Sequence, residues 1–178
     1  PGIINTVGQD AHGIFAQSAG GQGSGGDIGI HIAGAVTVAG AGSNAIYAQS
    51  TGAAGNGNIS VTIAPTGGVF AVAEANTAVC FVGGKDNLLD NYGIITAVQQ
   101  AVSSTDGTNT TINNYGAMHC SIQLGQGTNA FNNMGIFHSG ANVVLGTGNT
   151  LMNAGILEIG GHGQVATSAL TGNFVQTG

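Results

Sequence analysis

The sequence predicts an all-β fold, a parallel β-helix (solenoid) in which each repeat forms one coil. The main observation is a motif of alternating apolar residues, Asn, one variable residue and Gly. It is clearest in residues 111–118 (TINNYGAM) and recurs at 88–95, 130–137 and 150–157. Successive motif glycines are about twenty residues apart, which is the length of one solenoid coil. Asn and Gly are also poor helix formers, which favours strands.

Superposing the four copies places similar residues in columns. The apolar columns are Leu89, Ile112, Phe131 and Leu151, and then Ile95, Met118, Phe137 and Leu157. The polar columns, here called the Asn ladder and the ladder glycines, are Asn91, Asn114, Asn133 and Asn153, followed by Gly93, Gly116, Gly135 and Gly155. Side chains alternate across a strand, so the apolar and Asn columns share the inward face. Stacked amides can hydrogen-bond along a column, and we expect the glycines to permit a sharp bend.

The first part of the chain repeats with a longer period. The tripeptide AQS occurs at 16–18 and again at 48–50, and a glycine-rich stretch follows each copy. We therefore expect coils of about twenty residues in the second half and longer coils with glycine-rich loops in the first. No break in composition divides the chain, so the prediction is a single repeat domain over 1–178, with long coils in 1–68 and regular coils in 69–178. The chain starts and ends inside repeat-like sequence and has no recognisable signal peptide, so we expect a segment of a longer protein.

The composition excludes several classes of partner. Charged residues make up only 4% of the chain, and Lys85 is the only basic one. Nucleic acids and anionic lipids are bound by clustered Lys and Arg, so neither is an expected partner. Cys80 and Cys120 fall in different coils and different columns, which predicts two buried free thiols rather than a disulfide.

Three stretches resemble the passenger domains of large Gram-negative autotransporters. Residues 10–23 (DAHGIFAQSAGGQG) resemble repeats in which a G-I-x-A-Q-S element precedes a glycine run, and the Asn-x-Gly coils after residue 87 resemble the regular stem. Residues 170–178 (LTGNFVQTG) are similar to a motif near the end of such passengers. The resemblance implies secretion or display on the cell surface, with a C-terminal outer-membrane barrel outside this segment.

The predicted function is accordingly non-enzymatic. The resemblance implies a rigid stem with a role in cell adhesion, biofilm or fibre formation. Low charge, with little repulsion between copies, favours self-association through like chains, and a host or neighbouring cell surface is the other expected partner. No cofactor is predicted. Ser18 and Ser50 lie in a duplicated context, which argues against a catalytic serine.

The alternative is a β-helical protein that binds or cleaves polysaccharide. Paired carboxylates cleave glycosidic bonds, and the candidates are Asp86, Asp90 and Asp106. Turn-forming Asp residues are the simpler interpretation. Tyr92 and Tyr115 are expected to stack on the outward face, where they offer a contact for sugars or only stabilise adjacent strands.

One column carries metal-ligand chemistry. His119, His138 and Glu158 each lie three residues after a ladder glycine, with Thr96 at the same place one coil earlier. Two imidazoles and a carboxylate suit a divalent transition metal, but stacked side chains run parallel whereas metal ligands converge. The sequence therefore predicts no metal site and a solvated surface stripe at these residues.

Overall fold

The computed structural model describes residues 2–105, 107–161, 163 and 165–178 of the chain. Its strands in the first three coils are β1 (Ile3–Thr6), β2 (Ile14–Ala19), β3 (Ile28–Ile32), β4 (Ala35–Val38), β5 (Asn44–Thr51), β6 (Ile59–Ile63), β7 (Gly68–Ala71), β8 (Thr77–Gly83) and β9 (Asp86–Asn91). The later strands are β10 (Ile94–Ser104), β11 (Asn109–Asn114), β12 (Ala117–Gln123), β13 (Asn129–Asn133), β14 (Ile136–Val144), β15 (Thr150–Asn153), β16 (Ile156–Ile159), β17 (Ala169–Thr171) and β18 (Asn173–Gln176). None of the described residues belongs to a helix that is long and apolar enough to cross a membrane.

The strands form two parallel sheets, and together they confirm the parallel β-helix. The seven-stranded sheet has the order β18-β15-β13-β11-β9-β6-β3, so each coil adds one strand to one face. The eleven-stranded sheet wraps the other two faces. Its strands β10, β12 and β14 bend from one face to the next at irregularities in their pairing.

The pairing register keeps one residue per coil in each column while the coils shorten. Along the first face the paired residues are Ile3, Ala35, Gly68, Ile94, Ala117, Ile136 and Ile156. By subtraction of these numbers, successive partners are 32, 33, 26, 23, 19 and 20 residues apart. Along this first face the column therefore continues through the whole stack although the coils differ in length.

The core is the set of inward columns. Leu89, Ile112 and Phe131 are fully buried and stack directly in the third face. Phe131 also meets Phe137 edge to face, with ring centroids 4.8 Å apart. Burying each such side chain contributes about 1.5–3 kcal/mol. The apolar alternation of the repeat therefore holds coil on coil.

Candidate functional site

The Asn ladder is a continuous chain of buried amide hydrogen bonds. Asn91 Nδ2 donates to Asn114 Oδ1 at 2.7 Å, and Asn114 Nδ2 donates to Asn133 Oδ1 at 2.7 Å. Asn133 continues the chain to Asn153 at 2.6 Å. The first three of these amides also donate to a backbone carbonyl of a following coil, on Ala117, Ile136 and Ile156 respectively. The ladder satisfies polar groups in the core and offers no free group for chemistry.

The ladder extends one coil beyond the four motif copies. Asn153 Nδ2 donates to Gln176 Oε1 at 2.8 Å, and β18 pairs in register with β15. Phe174 lies over Leu151 in the apolar column, and Gly178 follows Gln176 as Gly155 follows Asn153. Residues 174–178 (FVQTG) are therefore a fifth copy of the motif, with Gln in place of Asn. A motif that permits Gln at the Asn position would have identified this copy from the sequence.

The ladder glycines are required for a different reason from the expected one. None of the four has a positive φ, so the bend needs no left-handed backbone. A Cβ on Gly116 would instead collide with the carbonyl oxygen of Gly93, and Gly135 and Gly155 meet the preceding ladder glycine in the same way. Gly93 meets the Gly67 carbonyl. The corner is too tightly stacked for a side chain, which explains the glycine at each copy.

A second buried polar column was not recognised in the sequence. Asn87, Thr110, Asn129 and Asn149 lie in register at the start of the third face and are all buried. Asn129 Oδ1 accepts from the Thr110 backbone N–H at 2.9 Å, and Asn149 Oδ1 accepts from that of Asn129 at 2.8 Å. Asn149 Nδ2 closes its own turn on the Leu145 carbonyl. The repeated GTN at 107–109 and 127–129 was the available signal, but Asn129 pairs with Thr110 rather than with Asn109.

The candidate carboxylates belong to an outward ladder. Asp90 Oδ1 accepts from Asn113 Nδ2 at 2.8 Å, and Asn113 Oδ1 accepts from Asn132 Nδ2 at 2.9 Å. Asp86 accepts from Asn109 Nδ2 in the same manner. The two Asp residues lie four positions apart on one strand, or about 13 Å, whereas glycosidase carboxylates are about 5–9.5 Å apart. They do not form a glycosidase pair, and Asp106 lies outside the described residues.

The histidine column is a line of contacts and not a simple surface stripe. Thr96, His119, His138 and Glu158 are paired in register as expected. His119 Nδ1 and His138 Nδ1 are 2.8 Å apart, and His138 Nε2 lies 2.7 Å from Glu158 Oε2. The two imidazole rings are at 83° to each other, so they meet edge to face instead of stacking face to face. The His138 side chain is only 19% exposed, and His119 and His138 line an open cavity together with Cys120 and Gly140.

The cavity environment favours uncharged forms of two groups. Burial lowers the pKa of His119, and the neighbouring His138 lowers it further. Burial raises the pKa of the Cys120 thiol. Cys120 Sγ donates to the Gln99 carbonyl at 2.9 Å, which also favours the thiol over the nucleophilic thiolate. Cys80 and Cys120 are both free as predicted, although each is partly rather than fully buried.

The geometry of the column does not converge on a metal. Both ring nitrogens of His138 already face partners, and the contacts run in sequence instead of pointing at one centre. Within the described ranges, no group of three or more His, Cys, Asp or Glu residues has an arrangement that suits a metal ion.

An apolar stripe runs along the outside of the rod beside the ladder glycines. Its residues immediately precede or follow a ladder glycine and are 37–53% exposed: Tyr92, Ile94, Tyr115, Met134, Ile136 and Ile156. Tyr92 and Tyr115 stack with ring centroids 4.6 Å apart and planes within 5°. Each tyrosine thus covers one face of the other. The stripe spans four coils and contains no charged residue.

The AQS element of the long coils fastens the glycine-rich loops. Ser50 is completely buried; its Oγ donates to the Gly26 carbonyl at 2.9 Å and accepts from the Gly57 N–H at 3.0 Å. Ser18 Oγ accepts from the Gly26 N–H. On the outer face of the same strands, Gln17 Nε2 donates to Gln49 Oε1. Both serines thus have structural hydrogen-bond partners in the loops.

Comparisons with known proteins add no identification. No protein-family model, no curated protein and no solved structure matches this chain.

Proposed function

We propose that this chain is a non-enzymatic stem segment of a secreted or surface-displayed β-helical protein, and that it associates sideways with like chains. The single observation that carries the proposal is the apolar stripe beside the ladder glycines. Contiguous exposed apolar surface usually marks an interaction site. Elsewhere the inner and outer ladders join the polar side chains to one another, which leaves few groups for chemistry.

The charge distribution supports a like chain as the partner. The net charge of −6 is carried by seven acidic residues and one lysine in 178 residues, and none of them lies in the stripe. Two copies placed stripe to stripe therefore bring no like charges into direct contact. The stripe is straight and repeats at the coil spacing of about 4.8 Å, so a second rod can match it coil for coil.

The size of the stripe predicts weak association. Four coils give a length of about 15 Å. A single narrow row of side chains of that length is too small to bury the roughly 800 Å² per partner of a stable interface. Reversible contacts that become strong only when many copies lie side by side suit a role in adhesion, biofilm or fibre formation. The resemblance to autotransporter passengers points the same way and suggests the surface of a Gram-negative bacterium.

The proposal is tested by sedimentation velocity across a concentration series. We expect the sedimentation coefficient of the wild-type chain to rise with concentration. The double variant Met134→Lys/Ile136→Lys should remain monomeric, because it places charges in the stripe. Val72→Lys is the matched control, since Val72 is 52% exposed and lies outside the stripe.

Two results would count against this function. If the wild-type chain is a monomer at every concentration, it does not self-associate and the stem is passive. If the double variant still associates, the contact between chains does not involve the apolar stripe. Polysaccharide binding is the remaining alternative, and glycan binding that is lost in Tyr92→Ala/Tyr115→Ala while the wild type stays monomeric would favour it.

A further inference from the structure

The contact between His119 and His138 restricts which ring nitrogens can carry a proton. Two ring nitrogens 2.8 Å apart form a hydrogen bond only if one carries a proton and the other presents a lone pair. With both rings neutral, the His138 proton belongs on Nε2, which faces the Glu158 carboxylate, so His119 Nδ1 is the donor to His138 Nδ1. The contact joins β12 to β14, and Glu158 continues it to β16, so it spans three successive coils.

One additional proton strengthens this arrangement. His138 as an imidazolium forms an ion pair from Nε2 with the Glu158 carboxylate and donates from Nδ1 to His119 Nδ1, which presents a lone pair when the His119 proton is on Nε2. A second proton placed on His119 leaves two N–H groups facing each other with no acceptor between them. It also places two positive charges in contact. The doubly protonated pair therefore cannot keep the observed geometry.

We propose that the His119–His138 contact is an acid-operated clasp between coils, closed while the rings share at most one extra proton and open when both are imidazolium. This inference goes beyond the stem function and does not depend on it.

The surroundings set the pH range of the clasp. Among the described residues that line the cavity, the ionisable group beside the pair is Cys120 on the same strand, and Glu158 contacts His138 from the next coil. The facing residues of β10 are the uncharged Thr96 and Ala97, and the described residues lining the far side of the cavity are Gly160, Gly161, Ala166 and Thr167. No described acidic group lies directly against His119, whose pKa is lowered by burial and by His138. Opening is thus expected below the ordinary histidine range of about 6.5.

The strained residue beside the clasp supplies a reporter. Cys120 follows His119 directly, has a φ of 114°, and holds its thiol against the Gln99 carbonyl in the same cavity. A non-glycine residue in that backbone region persists only while its surroundings fix it. Release of the His119 ring removes one of those constraints. Opening of the clasp should therefore increase access to the Cys120 thiol.

The experiment measures modification of both cysteines by 4,4′-dithiodipyridine in the full chain, with EDTA present to exclude trace metals. Cys80 is the internal reference, because the pH dependence of thiol ionisation affects both residues and largely cancels in the ratio. Between about pH 7.5 and about pH 5, we expect the ratio of the Cys120 rate to the Cys80 rate to rise about tenfold. The ratio should stay flat in His119→Asn, whose amide can still bond to His138 but takes no proton. His31→Asn, an exposed histidine on β3, is the matched control and should retain the rise.

Two outcomes would overturn the clasp: a flat ratio in the wild-type chain, or a rise that survives in His119→Asn. If His119→Asn is unfolded at neutral pH by circular dichroism, ring-nitrogen NMR of the wild type replaces it. Separate titration of the two rings, with the second step coinciding with the Cys120 change, is the expected result. A single step for both rings would refute the proposal.

Discussion

Replacing one amide of the Asn ladder should cost much more than replacing its neighbour on the opposite face of the same strand. Asn113 and Asn114 are adjacent on β11, and each accepts one side-chain hydrogen bond from an amide of an adjoining coil. Each also donates to the next member of its ladder. They differ in environment, since Asn114 is fully buried whereas Asn113 is partly exposed. Alanine at each position is therefore a matched pair.

The expected losses of stability follow from the polar groups that each substitution leaves without a hydrogen-bond partner. Asn114→Ala removes the donor to Asn133 Oδ1, which stays buried away from water, and also the bond to the Ile136 carbonyl. An unsatisfied buried acceptor and a lost hydrogen bond together cost about 2–4 kcal/mol. Water can replace the partners of Asn113, so Asn113→Ala should cost less than about 1 kcal/mol.

The assay is urea denaturation followed by circular dichroism, supported by amide hydrogen exchange at Tyr115 and Gly116, whose N–H groups both donate to the Asn91 carbonyl. We expect the Asn114→Ala midpoint to fall by about 1 M or more, with local exchange accelerated around the corner. Equal shifts in the two variants would refute the argument that burial of the amide column makes it indispensable.

Two further substitutions test the corner and the loops. Gly116→Ala should destabilise the chain by about 2–3 kcal/mol, because the new Cβ meets the Gly93 carbonyl, whereas Gly29→Ala has open space and should be nearly neutral in the same denaturation experiment. Ser50→Ala should cost about 1–3 kcal/mol by thermal unfolding because it leaves two backbone groups of the glycine loops unpaired; Ser18→Ala, which loses one exposed hydrogen bond, should cost clearly less.

The sequence was sufficient to predict the fold because the repeat determines which residues of successive coils pair with each other. When Asn91, Asn114 and Asn133 recur at the same place in similar motifs, a parallel stack with one copy per coil buries all of them in the same way. The apolar neighbours then fix which face is inward, since a slip of one residue would expose them. The same reasoning placed His119, His138 and Glu158 in one column, and the register agrees.

The remaining features depend on atomic contacts that a repeat pattern does not contain. Gly116 is required because the backbones of neighbouring coils lie too close together for a side chain. The sequence does not distinguish such a glycine from one that is required for a turn. The crossed histidine rings depend on rotamers within a cavity formed by the bend in β12 and β14. The fifth motif copy was missed because Gln176 replaces Asn, although its longer side chain reaches the same hydrogen bond.

The two amide ladders run in opposite directions, and this gives the rod an internal polarity. Each inner amide donates toward the C-terminal coils, and backbone carbonyls that can only accept fix that orientation. Each outer amide donates toward the N-terminal coils, where the Asp90 carboxylate, also only an acceptor when ionised, begins the column. A completed coil therefore presents hydrogen-bond donors on its inner column and hydrogen-bond acceptors on its outer column to the coil that follows it. This pattern acts as a template that accepts a neighbouring coil in one orientation and one register as the stack propagates during folding.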